Sequence, residues 1–188
     1  MTTLSEQMII DCAGKAGGCS GGIMQDALEW IRDNGGIMSD NDYSYKGRKG
    51  SCKKNPSKYV DLKVTGTKRL GTSGKTWDCV DENEIKEFLY EVGPLVAALN
   101  SDFLKNYKSG ILDVPIERCT VAGINHGVLL VGYGTDDSTG MDYWIAKNNK
   151  GKDWGESGYF RVRRGAGTCG INCYIMTAVV EWSYSKSL

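Results

Sequence analysis

The chain has 188 residues, 40% apolar, 24% charged and 10% aromatic. That is long and apolar enough for one domain or two small ones, and it excludes a disordered chain. Lys plus Arg and Asp plus Glu number 23 each, so there is no basic surplus to attract nucleic acid, and no run approaches the roughly 20 apolar residues of a membrane helix.

Residues 1–7 hold neither a basic stretch nor an apolar run, so no signal peptide is expected there. Ser5 or Thr3 can cap a short helix with Glu6 in its first turn, carrying Met8, Ile9 and Ile10. Ile23, Ala27, Trp30 and Ile31 form a helical stripe with Met24 and Leu28 alongside, stopped by Asn34-Gly35-Gly36. Residues 37–78 lack a clear period; Tyr43, Tyr45 and the glycines at 47, 50, 66, 71 and 74 suggest loops and tight turns. A third helix is predicted over Asp81–Val92, with Ile85, Phe88, Leu89 and Val92 on one face and Gly93-Pro94 ending it.

Strands follow: Leu95–Leu99, then Gly127–Tyr133, which reads as buried on both faces, then Tyr143–Ala146. Tyr159–Val162 alternates Tyr159/Arg161 against Phe160/Val162, and a last strand is predicted over 174–182. Helices first and strands later argue an α+β chain in two lobes, with a boundary near 75–95.

Seven cysteines in an ordinary globular composition point to disulfides and an oxidising compartment, with one thiol left without a partner in the chain. Zinc fits poorly, because there is no Cys-x-x-Cys pair and His126 is the only histidine. A lone histidine is more often structural than catalytic, and Asn148, taken alone, is a turn residue. An Asn can nevertheless fix an imidazole tautomer by accepting its N–H.

The wider pattern changes that balance. Leu4-Ser5-Glu6-Gln7 with Asp11-Cys12 is followed by Gly18-Cys19-Ser20-Gly21-Gly22 and by the run from Asn125-His126-Gly127 to Gly132-Tyr133-Gly134. Lys147-Asn148, then Trp154-Gly155-Glu156-Ser157-Gly158-Tyr159-Phe160-Arg161, then Cys169-Gly170-Ile171 complete the order. From about Leu4 to Val180 the chain closely resembles the papain-like cysteine proteases, the cathepsin L type more than the cathepsin B type. The resemblance implies a two-lobed fold: residues 1–80 as the remainder of a helical lobe, and 81–188 as mostly a β-barrel-like lobe. It also implies peptide hydrolysis by a Cys thiolate paired with His⁺, with a Gln side chain and a backbone N–H stabilising the oxyanion. His126 matches the family base and Asn148 its orienting Asn; no metal or other cofactor is implied.

Two departures stand against that chemistry. The family's nucleophile lies in a Cys-Gly-Ser/Ala-Cys-Trp/Tyr motif about 130–150 residues before the His, which would fall ahead of Met1. Cys12, Cys19, Cys52, Cys79 and Cys119 lie 114, 107, 74, 47 and 7 residues before His126, and none sits in that motif. The family's Asn-Ser-Trp-Gly, whose indole shields the His–Asn hydrogen bond, here reads Asn148-Asn149-Lys150-Gly151. A lysine supplies no apolar lid, and its charge disfavours a nearby imidazolium; the alternative is a surface substitution that an active enzyme tolerates.

The resemblance further implies the disulfides Cys12–Cys52 and Cys119–Cys169, and leaves Cys19 for a cysteine just ahead of the nucleophile. Cys79 and Cys173 have no clear family partner; they bond each other or stay buried as small apolar groups. Gly21 and Gly22 match the family's glycine edge for an extended peptide. Ile23, Met24, Ala98, Asn125, Gly127 and Tyr174 match positions around its main specificity pocket, with Tyr174 at a shallow floor, although Ile23 and Met24 serve equally well as helix core.

The expectation is thus a catalytically inactive, N-terminally truncated papain-family homologue with a binding or structural role. The alternative is a genuine endopeptidase whose N-terminal catalytic segment is missing from this chain; a cysteine-rich binding module unrelated to proteolysis is a third reading. Expected partners are a peptide or protein substrate if the site is complete, and a partner chain over the gap left by the missing helix. The family points to lysosomal, vacuolar or secreted proteins.

Overall fold

A computed structural model describes residues 2–71 and 78–181. Gly74, and position 182 at the end of the last predicted strand, lie outside these described residues. The chain divides into two compact units, 1–68 with 178–188, and 69–177. The split into 1–80 and 81–188 implied by the resemblance differs from this division in two places: the second unit already begins at Arg69, and the end of the last strand, from Ala178, belongs with the first unit.

In the first unit, α1 (Glu6–Cys12) starts where Ser5 leaves helical geometry and its Oγ accepts the Met8 N–H at 3.0 Å. The helix α2 (Met24–Asp33) begins at Ile23, which has no side-chain oxygen to cap it. It ends at Asn34, where Gly35 takes a φ of 78° that a Cβ would oppose. Met8, Ile31, Ile37, Met38, Tyr43 and Val64 form the core of this unit. Ile23 is not part of it: at 57% exposure it stands outside the helix it was expected to help pack.

Residues 37–78 are not wholly loop. A strand, β1 (Lys63–Leu70), runs through Lys-Val-Thr-Gly-Thr-Lys-Arg-Leu. Only Val64 of it is buried, so hydrophobic alternation could not reveal it; its pairing is a main-chain matter that Gly66 and the polar side chains leave untouched.

The second unit opens with α3 (Glu82–Val92), capped by Asp81, whose carboxylate accepts the Asn83 N–H at 2.7 Å. Its apolar face sinks Ile85, Phe88 and Leu89 into a core with Leu95, Leu99, Leu130, Trp144, Phe160, Val162 and Ile175. The strands are β2 (Leu95–Leu99), the short β3 (Ile111–Leu112), β4 (His126–Thr135), β5 (Asp142–Lys147), β6 (Tyr159–Arg163) and β7 (Ile175–Glu181). Their order is β7-β2-β4-β5-β6-β3, with β3 parallel to β6 and the other neighbours in this series antiparallel. β7 passes into the first unit at Ala178, where the Thr65 hydroxyl of β1 donates to the Val179 carbonyl at 3.3 Å.

Two strand expectations meet different outcomes. Phe160 and Val162 are fully buried while Tyr159 and Arg161 are partly exposed, as their alternation predicts. The run 127–133 is not buried on both faces: Val128 and Leu130 are buried, while Gly127, Leu129 and Val131 are only partly covered. An antiparallel strand packs one face on the core, and its apolar residues on the other face receive partial cover.

Six of the seven cysteines are bonded, as Cys12–Cys52, Cys79–Cys173 and Cys119–Cys169. Cys79 and Cys173 thus bond each other, beside a reciprocal pair in which the Val80 N–H donates to the Asn172 carbonyl at 3.1 Å and the Asn172 amide donates to the Val80 carbonyl at 2.9 Å.

Candidate functional site

His126 opens β4 and Asn148 follows the last residue of β5. The register pairs Leu129 with Lys147 and Leu130 with Ala146, then slips by one residue so that Gly132 meets Ile145. Continued past Lys147, the pairing sets Asn148 opposite Val128, and His126 is then its diagonal neighbour on the same face. The slip is decisive. Carried through unbroken from Gly132–Ile145, the register would set Asn148 opposite Leu129 and His126 on the other face, because side chains alternate with a period of two.

The two side chains meet with His126 Nε2 2.9 Å from Asn148 Oδ1. The backbone N–H of Asn149 also donates to Asn148 Oδ1, at 2.9 Å. A backbone N–H can only donate, so it orients the amide with its oxygen toward both groups. His126 Nε2 must then carry the proton, and in the neutral ring the lone pair is left on Nδ1. Asn148 is 8% exposed, and its own N–H donates to the Gly158 carbonyl at 2.9 Å. His126 is half-buried and keeps an accessible edge. The pair can accept one proton at Nδ1 while Asn148 stabilises the resulting imidazolium. Lys150 is exposed two residues beyond Asn148, and Trp154 packs against Tyr107 at a tilt and edge-to-face against Phe160.

The other residues of the second unit gather around the end of β2. Ala98 is buried, pairs with Gly127 across β4, and donates its N–H to the Tyr174 carbonyl at 3.2 Å. Asn125 is exposed; its N–H donates to the Leu99 carbonyl, and its Oδ1 accepts the Ser101 N–H at 3.0 Å and hydroxyl at 2.8 Å. Tyr174 is buried, with the Arg69 guanidinium 4.5 Å from its ring centre. Ser101 and Arg69 escaped sequence reasoning, since neither sits in a motif.

In the first unit, Gly21 and Gly22 are exposed in a tight glycine turn. A Cβ on Gly22 would lie 1.9 Å from the Ala16 carbonyl oxygen, and one on Gly17 would lie 1.7 Å from that of Gly21, so side chains are excluded by the backbone itself. Met24 is half-buried and Ile23 exposed. Cys19 is a free thiol in the same turn, also exposed. Nearby, Asp11 is buried in a polar cluster. Burial alone would raise its carboxyl, but the Gly50 N–H, the Gln7 amide, the Tyr43 hydroxyl and the charge of Lys46 together hold it below its ordinary value.

The family described as papain family cysteine protease matches residues 1–179. A viral cathepsin of Adoxophyes honmai nucleopolyhedrovirus is 41% identical over 172 residues, covering 92% of this chain and 47% of the relative. Cysteine proteinase 15A of Pisum sativum is 34% identical over 197 residues, covering 97% and 51% respectively. Digestive procathepsin L2 of Tenebrio molitor larval midgut superposes with a TM-score of 0.85 at 35% identity, over 95% of this chain and 54% of that one. Bromelain protease of Ananas comosus, solved with the E64 inhibitor, superposes at 0.82 and 33% identity over 96% and 80%. The chain spans about half the length of the curated relatives it matches.

Proposed function

The chain belongs to the papain family of cysteine proteases, cathepsin L type, and from that premise we propose that its 188 residues bind peptide or protein without hydrolysing it. The observation that carries this reading is the fate of the sulfurs. Six are tied up in disulfides, and the remaining one, Cys19, stands between Gly18 and Ser20, outside the family's nucleophile motif. His126 would then have a lone pair on Nδ1 and no thiol to deprotonate, so the covalent step that divides peptide hydrolysis into two easier ones is lost. Lys150 adds to this. Standing where the family carries an indole, it offers no apolar cover to the His126–Asn148 hydrogen bond. The test is a dipeptidyl fluorogenic substrate under reducing conditions, with a thiol-directed epoxide as control. No turnover above that of His126→Ala is expected; epoxide-sensitive turnover would overturn the proposal.

A second reading draws support from the dyad itself. The 2.9 Å contact, the tautomer it imposes and the burial of Asn148 match what a working base requires. On this reading the chain is the base-bearing part of a genuine cysteine endopeptidase whose nucleophile lies on a further segment, which would also cover the half-exposed apolar side of α2. Reading the coding sequence upstream of Met1 tests it. An in-frame Cys-Gly-Ser-Cys-Trp stretch that confers turnover sensitive to His126→Ala would favour this reading over the first. Three disulfides fit an oxidising compartment on either reading, secreted, vacuolar or lysosomal. Among the described residues no helix is long and apolar enough to cross a membrane.

A further inference from the structure

Asn148 is held by a turn that carries backbone strain. In this turn the Glu156 N–H donates to the Tyr159 carbonyl at 2.9 Å, and the Tyr159 N–H donates to the Glu156 carbonyl at 3.1 Å. The two residues between them, Ser157 and Gly158, have φ of 56° and 93°. A tight hairpin of this kind requires positive φ at both positions, and glycine accepts it freely. Serine does not, because its Cβ is crowded by the following carbonyl. Among the described residues, Ser157 and Cys169 are the only non-glycine residues with positive φ. Cys169 is fixed by its disulfide, whereas Ser157 is exposed and needs another restraint.

The Glu156 carboxylate supplies it. Arg161 donates from Nε to Oε2 and from Nη2 to Oε1, each at 3.0 Å, and the Gly110 N–H donates to Oε1 at 2.8 Å. The side chains of Arg161 and Glu156 are only 28% and 26% exposed, so the pair is screened less than a surface bridge. Tyr107 closes the same cluster: its hydroxyl donates to the Gly110 carbonyl at 2.6 Å and accepts the Arg161 N–H at 3.1 Å. Its ring would lie 3.2 Å from a Cβ on Gly155, at the entrance to the turn. On the other side of the turn, the carbonyl of the buried Gly158 accepts the Asn148 N–H at 2.9 Å, and Asn148 Oδ1 meets His126.

We infer that Glu156 is the positioning residue of the dyad: by gripping Arg161 and Gly110 it holds Ser157 in its strained conformation, and so keeps the Gly158 carbonyl where it fixes Asn148 against His126. Glu156 acts through the backbone of the turn and is not a catalytic residue. The inference stands on the geometry of the dyad and on neither reading of the function.

His126 is the only histidine, so its Nε2 proton gives a single imidazole signal in 15N-edited NMR. Exchange of that proton with water reports the hydrogen bond to Asn148, and Asn148→Ala sets the rate of the broken pair. Glu156→Ala is expected to speed exchange about tenfold, as the loss of one hydrogen bond's restraint would. Adding Ser157→Gly to that variant should bring the rate back to within about twofold of the unaltered protein, because glycine keeps positive φ without the clamp. Ile85→Val, which loosens the core of the same unit away from the turn, should leave the rate unchanged. If Glu156→Ala does not fold, Glu156→Gln makes the same comparison. It keeps Oε1 but loses one of the two oxygens that Arg161 uses, and exchange should quicken about threefold. Unchanged exchange in the Glu156 variants overturns the inference. So does equal acceleration in Ile85→Val, which would make the effect one of general stability, or a failure of Ser157→Gly to restore protection. An unaltered protein that exchanges as fast as Asn148→Ala also overturns it. Neither turnover nor peptide binding is read, so each of these failures leaves both functional readings to their own tests.

Discussion

Two helices of nearly equal length, α2 and α3, carry similar apolar stripes and meet different surroundings. α3 buries Ile85, Phe88 and Leu89, and its start is fixed three times over. Cys79 bonds Cys173 just before it, Asp81 caps it, and the buried Glu82 accepts the Trp144 indole N–H at 2.5 Å and the Gly167 N–H at 2.7 Å. α2 buries only Ile31; Met24, Ala27, Leu28 and Trp30 are half-covered, and no side chain caps its first turn. The contrast teaches that an amphipathic pattern states which face of a helix seeks cover, while the neighbours determine how much it receives.

The largest test of this contrast is a pair of truncations. Ile85→Ala removes a fully buried side chain and should cost about 2–5 kcal/mol of stability in urea unfolding. Leu28→Ala in α2 should cost about 1 kcal/mol, since the residue is only partly removed from water. Equal losses would break the comparison.

Capping sharpens it further. Asp81→Ala should destabilise by about 1 kcal/mol by leaving the Asn83 N–H without its acceptor, and amide exchange at the start of α3 should quicken. At α2 the opposite is expected. Ile23→Asp supplies the missing cap and removes an exposed apolar side chain, so stability should rise by about 0.5 kcal/mol and exchange across the first turn should slow.

The smallest effect concerns acid. Asp11 belongs to the same unit as α2, and its folded pKa lies below the ordinary value of 3.8. Its contribution to stability is therefore fully present above that value and is lost as pH falls through the lower folded pKa. Asp11→Asn should lower stability at neutral pH and flatten its decline below about pH 4, where the carboxyl of the unaltered protein takes up its proton. An acid limb of unchanged steepness would show that other carboxyls govern it.

How legible each region was follows from where its information lies. α1, α2 and α3 are close to the helices predicted, because their stripes, caps and glycine stops are local. Phe160 and Val162 are buried as their alternation required. β1 was missed because Val64 is the only buried residue it has, and its hydrogen bonds leave no trace in side-chain pattern. Ile23 fits the stripe by spacing, yet its backbone is extended at the entrance to α2, and spacing cannot report where the first turn begins.

The sequence by itself determined the α+β class, the family, the position of a lone histidine at a strand edge, and the absence of a Cys-Gly-Ser-Cys-Trp motif among 188 residues. All of these are matters of residue identity and order, which the chain states directly. Only the tertiary structure decided that Cys79 bonds Cys173 and how the His126–Asn148 pairing that the resemblance implies is reached. That meeting depends on a register slip of one residue between Leu130 and Gly132, which sets which face of β4 looks toward Asn148. Because strand side chains alternate with a period of two, a single inserted residue separates a formed dyad from two residues on opposite faces, and no local pattern specifies which occurs.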